Sequence, residues 1–340
     1  MKYTLTPLKY LFTIGWLVAN SYSHAFDANA LEKQADSSIT ALYHTLNSMP
    51  NISMANRIAW LSKQFIGKKY ILGALGEGPQ ARYDQFPRYR VDGFDCDTYV
   101  NTVLALALAN SPAVFQQCLR LNRYKNGHIS YIDRNHFTSI DWNINNQQRG
   151  VLKDITLEIK NKRNETVAKW AVALINKPGW YAHKTKTTIR LQKFDRQREE
   201  QLLAELKNKG RTLKATTSKI PYIPLTALFA KNGEPNMYLF SQIPDGAIIE
   251  IVRPNWDLQK LIGTSLNISH LGFAIWVNHQ LFFREASSQL YKVVDVFLID
   301  YLKDAQHSQT IKGINIQVVL PARPVGDHCD IFLNANTISK

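Results

Sequence analysis

The sequence predicts an α+β fold built on an antiparallel sheet, and three observations carry that reading. Segments with helical periodicity dominate the first third of the chain. Short runs rich in β-branched and aromatic residues, bounded by turn residues, fill the last third. Two of those runs flank Asn278-His279, a turn that brings the chain back beside itself. Helices in one block and strands in another is the α+β pattern, unlike the alternation that gives a parallel sheet. With 340 residues, 45% hydrophobic and 20% charged, the chain has an ordinary globular composition. Its length allows one large domain or two smaller ones. Gly and Pro are sparse and no repeat period is visible, which argues against a solenoid.

Taken in order, residues 1–25 read as an export signal. Lys2 and Lys9 give a positive start, residues 11–19 a short apolar stretch, and Ser23-His24-Ala25 a small-x-small cleavage site that leaves Phe26 as the mature start. The apolar stretch is too short to span a bilayer comfortably, so a protein exported to the periplasm or secreted is expected. Residues 26–57 are an N-terminal helical segment, with amphipathic helices expected at 27–49 and 53–66. Ala59, Leu61, Phe65 and Ile66 form the apolar side of the second, and Gly67 stops it. Residues 98–109 are apolar almost all round and should form a buried helix. Asn110-Ser111-Pro112 ends that helix and starts another through Leu121. Residues 124–142 mix aromatics with polar groups, as a cleft lining does. Residues 151–215 read as a basic insertion with helices at 165–175 and 195–206. Residues 220–224 are extended, and strands are expected at 247–252, 271–277, 280–284, 291–296 and 313–320. A catalytic domain is assigned to 58–322, followed by a tail, 323–340.

Three cysteines, Cys96, Cys118 and Cys329, allow one bridge and leave one thiol. Cys96 is expected to be the free one. Cys118 reads as a buried small hydrophobe on a helix, and Cys329 could pair with it. No two cysteines have zinc-ligand spacing, so no metal or other cofactor is expected. The formal net charge is +14, with much of the excess between Arg149 and Lys231. For an exported chain this suggests contact with an anionic wall polymer or membrane surface rather than nucleic acid, or simply a solvated basic surface.

Cys96 opens the buried helix and follows Gly93-Phe94-Asp95. Unpaired amides at a helix N-terminus stabilise a thiolate, which is the nucleophilic form of cysteine. His270 stands at the head of an apolar strand, and Glu285 lies on the next strand of the hairpin. A thiol, an imidazole and a carboxylate can form a nucleophile, its base and the group that orients the base. Tyr70 is a candidate oxyanion donor. Asp95 reads as a helix cap, and His136 as a rival to Glu285 or a substrate contact.

These residues fall in blocks that resemble the NlpC/P60 superfamily of cell-wall cysteine hydrolases, and more closely its N-acetylmuramoyl-L-alanine amidase-like branch, the DUF1460 family. The blocks are Tyr70-Ile71-Leu72-Gly73 ahead of Phe94-Asp95-Cys96-Asp97-Thr98-Tyr99-Val100; Arg123-Tyr124-Lys125-Asn126-Gly127 with Asn135-His136-Phe137; Ile268-Ser269-His270-Leu271-Gly272-Phe273; and Glu285-Ala286-Ser287-Ser288. The resemblance implies a papain-like core with Cys96 on a buried helix packed on the sheet. It implies Cys96 as nucleophile and His270 as base. The third position, commonly His in the superfamily, is Glu285 here. Asp95, His136, Ser269 and Ser287 are expected at the substrate cleft, with Arg82, Arg88 and Arg134 as contacts for the carboxylates of a stem peptide. The implied substrate is peptidoglycan or a muropeptide. The implied bond joins N-acetylmuramic acid to L-alanine, with the bond between D-glutamate and diaminopimelate as the alternative. A wall-binding protein without catalysis, or an acyltransferase, would share part of the pattern.

Overall fold

The computed structural model describes residues 26–49 and 51–329, so the expected export signal and residues 330–340 lie outside the described residues. The chain opens with α1 (Ala28–Asn47) and α2 (Met54–Lys63), passes through β1 (Lys69–Tyr70) and β2 (Gly93–Phe94), and continues into α3 (Cys96–Leu108) and α4 (Pro112–Arg123). A π-helical turn (Thr138–Trp142) leads to α5 (Asn143–Gln148), β3 (Leu152–Asp154), β4 (Lys169–Ile175), α6 (Lys177–Ala182) and α7 (Arg196–Arg211). There follow β5 (Thr216–Pro224), α8 (Leu225–Leu228), α9 (Met237–Phe240), β6 (Ile248–Leu258), α10 (Gln259–Ile262) and β7 (Thr264–Val277). The chain ends on β8 (Gln280–Ser287), β9 (Lys292–Phe297), α11 (Leu298–Ala305) and β10 (Gly313–Val319).

The strands join one sheet in the order β2-β1-β9-β8-β7-β6-β10-β5-β4, with β3 also on β10. Every pairing is antiparallel except β1 with β2. The β7–β8 hairpin turns at Asn278 and His279, both at positive φ (48° and 63°). That backbone twist suits a two-residue hairpin, and Asn tolerates it well. Helices cover both sides of the sheet. Leu271, Phe273, Ile275, Ala286 and Val293 join the core formed with α1 to α4. Ile249, Ile251, Ala274 and Phe283 join a second core with α8, α9 and α11.

Helix α3 is the centre of the first core: every residue from Thr98 to Leu108 is buried. Its last carbonyls would be orphans in an apolar interior. Arg57 on α2 reaches them, with Nε donating to the Ala107 carbonyl (2.9 Å) and the guanidinium also donating to that of Ala109. Cys118 on α4 is bonded to Cys329 (Cα–Cα 5.1 Å), and Cys96 is the free cysteine. The bridge ties the end of the described chain to the α3–α4 layer. No helix among the described residues is long and apolar enough to cross a membrane.

One expected element changes type. Residues 169–175, expected as part of a helix, form β4 and pair with β5 along their whole length. Trp170, Val172 and Leu174 are exposed while Ala171, Ala173 and Ile175 are buried. That alternation is a strand period, and a six-residue apolar run, 170–175, is too short for periodicity alone to separate the two states. The helix expected at 195–206 is present as α7.

Candidate active site

Helix α3 begins at Cys96 because Asp95 caps it. Asp95 Oδ1 accepts the Thr98 N–H at 2.8 Å, and Thr98 Oγ1 accepts the Asp95 N–H at 2.9 Å, a reciprocal capping box. The other carboxylate oxygen, Oδ2, accepts the Gly73 N–H at 2.8 Å. Asp95 therefore binds α3 to the loop after β1, in the helix-cap role that the sequence predicts. Cys96 is left at the first helical position, partly exposed, where the amides and dipole of α3 favour negative charge.

Strand β7 is irregular beside His270. Ile251 pairs with His270 but Val252 pairs with Ile268, so Ser269 is one residue too many. Such a bulge bends the strand and increases its twist. Leu271 and Phe273 point into the α3 core, and by alternation His270 lies on the opposite face, its ring 5.7 Å from that of Phe283. Ser269 is the bulge residue itself. Its Oγ accepts from Arg253 Nε at 3.1 Å and donates to the Ile251 carbonyl at 3.4 Å. The Ser287 hydroxyl accepts the Leu290 N–H at 3.4 Å and closes the turn after β8. Both serines, expected at the cleft, thus stabilise the strands that carry the site.

Glu285, 4% exposed, pairs across the sheet with Val294 and accepts a hydrogen bond from His270 Nε2 through its Oε2. That leaves Nδ1 as the ring nitrogen that faces no carboxylate, and the Cys96 sulfur is near enough to raise the ring's pKa. Burial works against a charged ring. The Glu285 carboxylate and the Cys96 sulfur outweigh it and push the His270 pKa up to about 10. The protonated ring is the state this geometry favours. Tyr70 ends β1, one strand from β2 and the start of α3, and its N–H donates to the Tyr291 carbonyl at 2.9 Å. Burial, then the charges of Cys96, Asp95 and Glu285, raise its hydroxyl well above the usual range, so it remains a donor beside the thiol.

His136 is elsewhere. Its Nε2–H donates to the Tyr131 carbonyl at 2.7 Å, and its ring lies 4.7 Å from those of Tyr131 and Trp180. Burial, helped by Arg134 and Lys184, lowers its pKa well below the ordinary value, so it stays neutral. It does not orient His270; Glu285 does. The three arginines expected to receive substrate carboxylates are engaged within the chain: Arg82 with Glu205, Arg88 with Glu32, and Arg134 with Glu77 and Asp84. One group went unmarked in the sequence. Asp97, the residue after the thiol, is pushed up to about 6 by burial and by Asp95, and its carboxylate is held by Asn101 Nδ2 at 3.0 Å. Its signal was present in Cys96-Asp97, but an acidic residue in a first helical turn ordinarily reads as dipole compensation.

A helix-borne thiol, a strand-borne imidazole and a carboxylate on the adjacent strand, gathered on a mixed α+β fold, define a site of the thiol–imidazole–carboxylate class. The chain belongs to the AmiA-like family, described as N-acetylmuramoyl-L-alanine amidase-like, whose family model matches residues 60–311. It is similar to a crystal structure of a DUF1460 protein from Legionella pneumophila str. Philadelphia 1, at 66% identity and TM-score 0.86, over 89% of this chain and 100% of that one. An N-acetylmuramoyl-L-alanine amidase from Bacteroides uniformis shares the fold, at 22% identity and TM-score 0.54, over 79% of this chain and 99% of that one. None of the curated proteins matches the chain.

Proposed function

We propose that this protein is an exported peptidoglycan amide hydrolase of the NlpC/P60 type, with a papain-like core and Cys96 as its nucleophile, and that it cuts the amide between N-acetylmuramic acid and L-alanine. The observation that carries this reading is the line from Cys96 through His270 to Glu285 in a chain of the N-acetylmuramoyl-L-alanine amidase-like family. The Cys118–Cys329 bridge supports the exported setting, because disulfides persist in oxidising compartments.

In this reaction the Cys96 thiolate attacks the lactyl carbonyl of the muramic acid, and the C=O electron pair moves onto oxygen. The Cys96 amide and the Tyr70 hydroxyl stabilise that oxyanion. The intermediate collapses, the C–N bond breaks, and His270 gives its proton to the departing L-alanine nitrogen. The stem peptide leaves with a free amine, and a muramoyl thioester remains on Cys96. Neutral His270 then takes a proton from water as the water attacks the thioester. The muramic acid departs as a carboxylic acid and the thiolate–imidazolium pair is restored. Glu285 fixes the ring and stabilises its charged form throughout.

Mass spectrometry of muropeptides incubated with the wild type tests the reading. Free stem peptide together with the unsubstituted sugar is expected. A dipeptide left on the sugar would instead indicate cleavage between D-glutamate and diaminopimelate, and intact muropeptide that co-sediments with the protein would indicate wall binding alone.

A further inference from the structure

The basic segment between α6 and α7 reaches back to the loop after β1. Arg190 follows α6 and is joined to the loop before β2 by its backbone: its N–H donates to the Tyr83 carbonyl at 2.9 Å, and its own carbonyl accepts the Gln85 N–H at 2.7 Å. Its side chain, 19% exposed, lies with its guanidinium 3.8 Å from the centre of the Phe86 ring. That guanidinium makes three bonds: to the carbonyl of Gly73, to the carbonyl of Leu75 at 3.1 Å, and to the Asp84 carboxylate. Asp84 is 1% exposed and also accepts from Arg134, so its charge is fully met inside the protein.

Gly73 is the joint between this network and the helix. Its carbonyl is held by Arg190, and its N–H is held by Asp95 Oδ2 at 2.8 Å. Its φ is +64°, and a Cβ there would stand 3.2 Å from Arg190 Nη1. Glycine meets both demands: it adopts the left-handed backbone and lets the guanidinium come close. Asp95 in turn holds the first turn of α3 by its other oxygen. The path therefore runs from Arg190 to Gly73 to Asp95 to the residue that begins the helix, Cys96.

We propose that Arg190 is a positioning residue for the Cys96 site: through Gly73 it holds Asp95, and through Asp95 it fixes where α3 begins. This rests on the reading of Cys96 as the nucleophile. The basic segment is then part of the site's frame as well as a charged surface. Lysine cannot replace it fully, because a single ammonium lacks the planar fork that reaches two carbonyls and a carboxylate together.

The test uses the full chain with Arg190→Gln, Arg190→Lys and, at the other end of the path, Gly73→Ala. Three quantities are read: kcat and KM on muropeptides, the rate of iodoacetamide alkylation at Cys96 located by mass spectrometry, and the thermal midpoint. Misplacing a nucleophile by a fraction of an ångström costs rate more than binding. Arg190→Gln is expected to lower kcat by at least about tenfold with KM within about threefold, and to change the alkylation rate by at least about threefold, below its melting temperature. Arg190→Lys falls between the two, and Gly73→Ala reproduces the loss. Adding Asp95→Asn to Arg190→Gln is expected to cost less than about twofold beyond Asp95→Asn alone, because both act on one path. A lower midpoint with kcat and alkylation unchanged would make Arg190 merely structural and overturn the proposal, as would losses that simply multiply. Alkylation reports the thiol's setting whether or not the protein hydrolyses muropeptides, so failure of the nucleophile reading would show separately, as hydrolysis that survives Cys96→Ala.

Discussion

Glu285 on β8 and Glu250 on β6 are both buried glutamates of the same sheet, 4% and 0% exposed, and their surroundings treat them differently. Glu250 meets an amide and the like charge of Asp154: Asn143 Nδ2 donates to its Oε2 at 3.1 Å, and its Oε1 has no hydrogen-bond partner among the described residues. Burial pushes its pKa up to about 8, against the Asn143 hydrogen bond, so at neutral pH it is mostly the uncharged acid. Glu285 meets an imidazole that can carry the opposite charge, and together with Cys96 it pushes His270 up to about 10. Burial without a positive partner turns a carboxylate into a neutral filler. Burial beside a protonatable ring turns it into a device that holds a proton next to a thiol.

The largest effect should come from removing that device. Glu285→Gln keeps the shape and loses the charge, and initial rates on muropeptides should fall by about 10²–10⁴. Glu285→His, which supplies another orienting group, should remain within about tenfold of wild type. Full activity in the Gln variant would erase the distinction between the two glutamates.

Stability against pH sharpens the contrast further, and chemical denaturation at several pH values would measure it. The folded His270 binds its proton more tightly than the unfolded side chain, whose ordinary value is 6.5. Its contribution is therefore whole below about pH 6.5 and is lost as the pH rises through about 10. Glu285→Gln should remove most of that dependence. For Glu250 the ordinary value is 4.5, so the wild type should lose stability relative to Glu250→Gln as pH climbs from about 4.5 to about 8 and level off above. Each slope is bounded by about 1.4 kcal/mol per pH unit, the limit for one proton. A Glu250→Gln variant with the wild-type profile would show that burial does not hold that proton. The smallest effect on activity belongs to His136→Asn. Loss of its hydrogen bond to Tyr131 should cost about 1–2 kcal/mol of stability and leave rates within about threefold. A collapse of activity with the fold intact would return His136 to the site.

What could be read from the sequence was local. Cys96 at a helix start, the Asn278-His279 hairpin and the α+β order each depend on residues within a few positions of one another, and each is present. The pairing of Cys118 with Cys329 spans 211 residues, and three cysteines could only leave it open. The arginines' partners are equally hidden from composition: Arg134 finds Glu77 and Asp84, and Arg82 finds Glu205, across distances that composition does not encode. The bulge at Ser269, beside His270, has no sequence mark beyond a polar residue in an apolar strand. Residues 169–175 failed differently, because an exposed outer strand with Trp170, Val172 and Leu174 facing outward has the apolar content of a buried helix.

The most direct measurement of the central claim is the rate of muropeptide hydrolysis by Cys96→Ala beside the wild type, with folding of the variant verified by its thermal midpoint. The account predicts that the folded variant releases no stem peptide above the uncatalysed background. Stem peptide released at a rate near that of the wild type would contradict it.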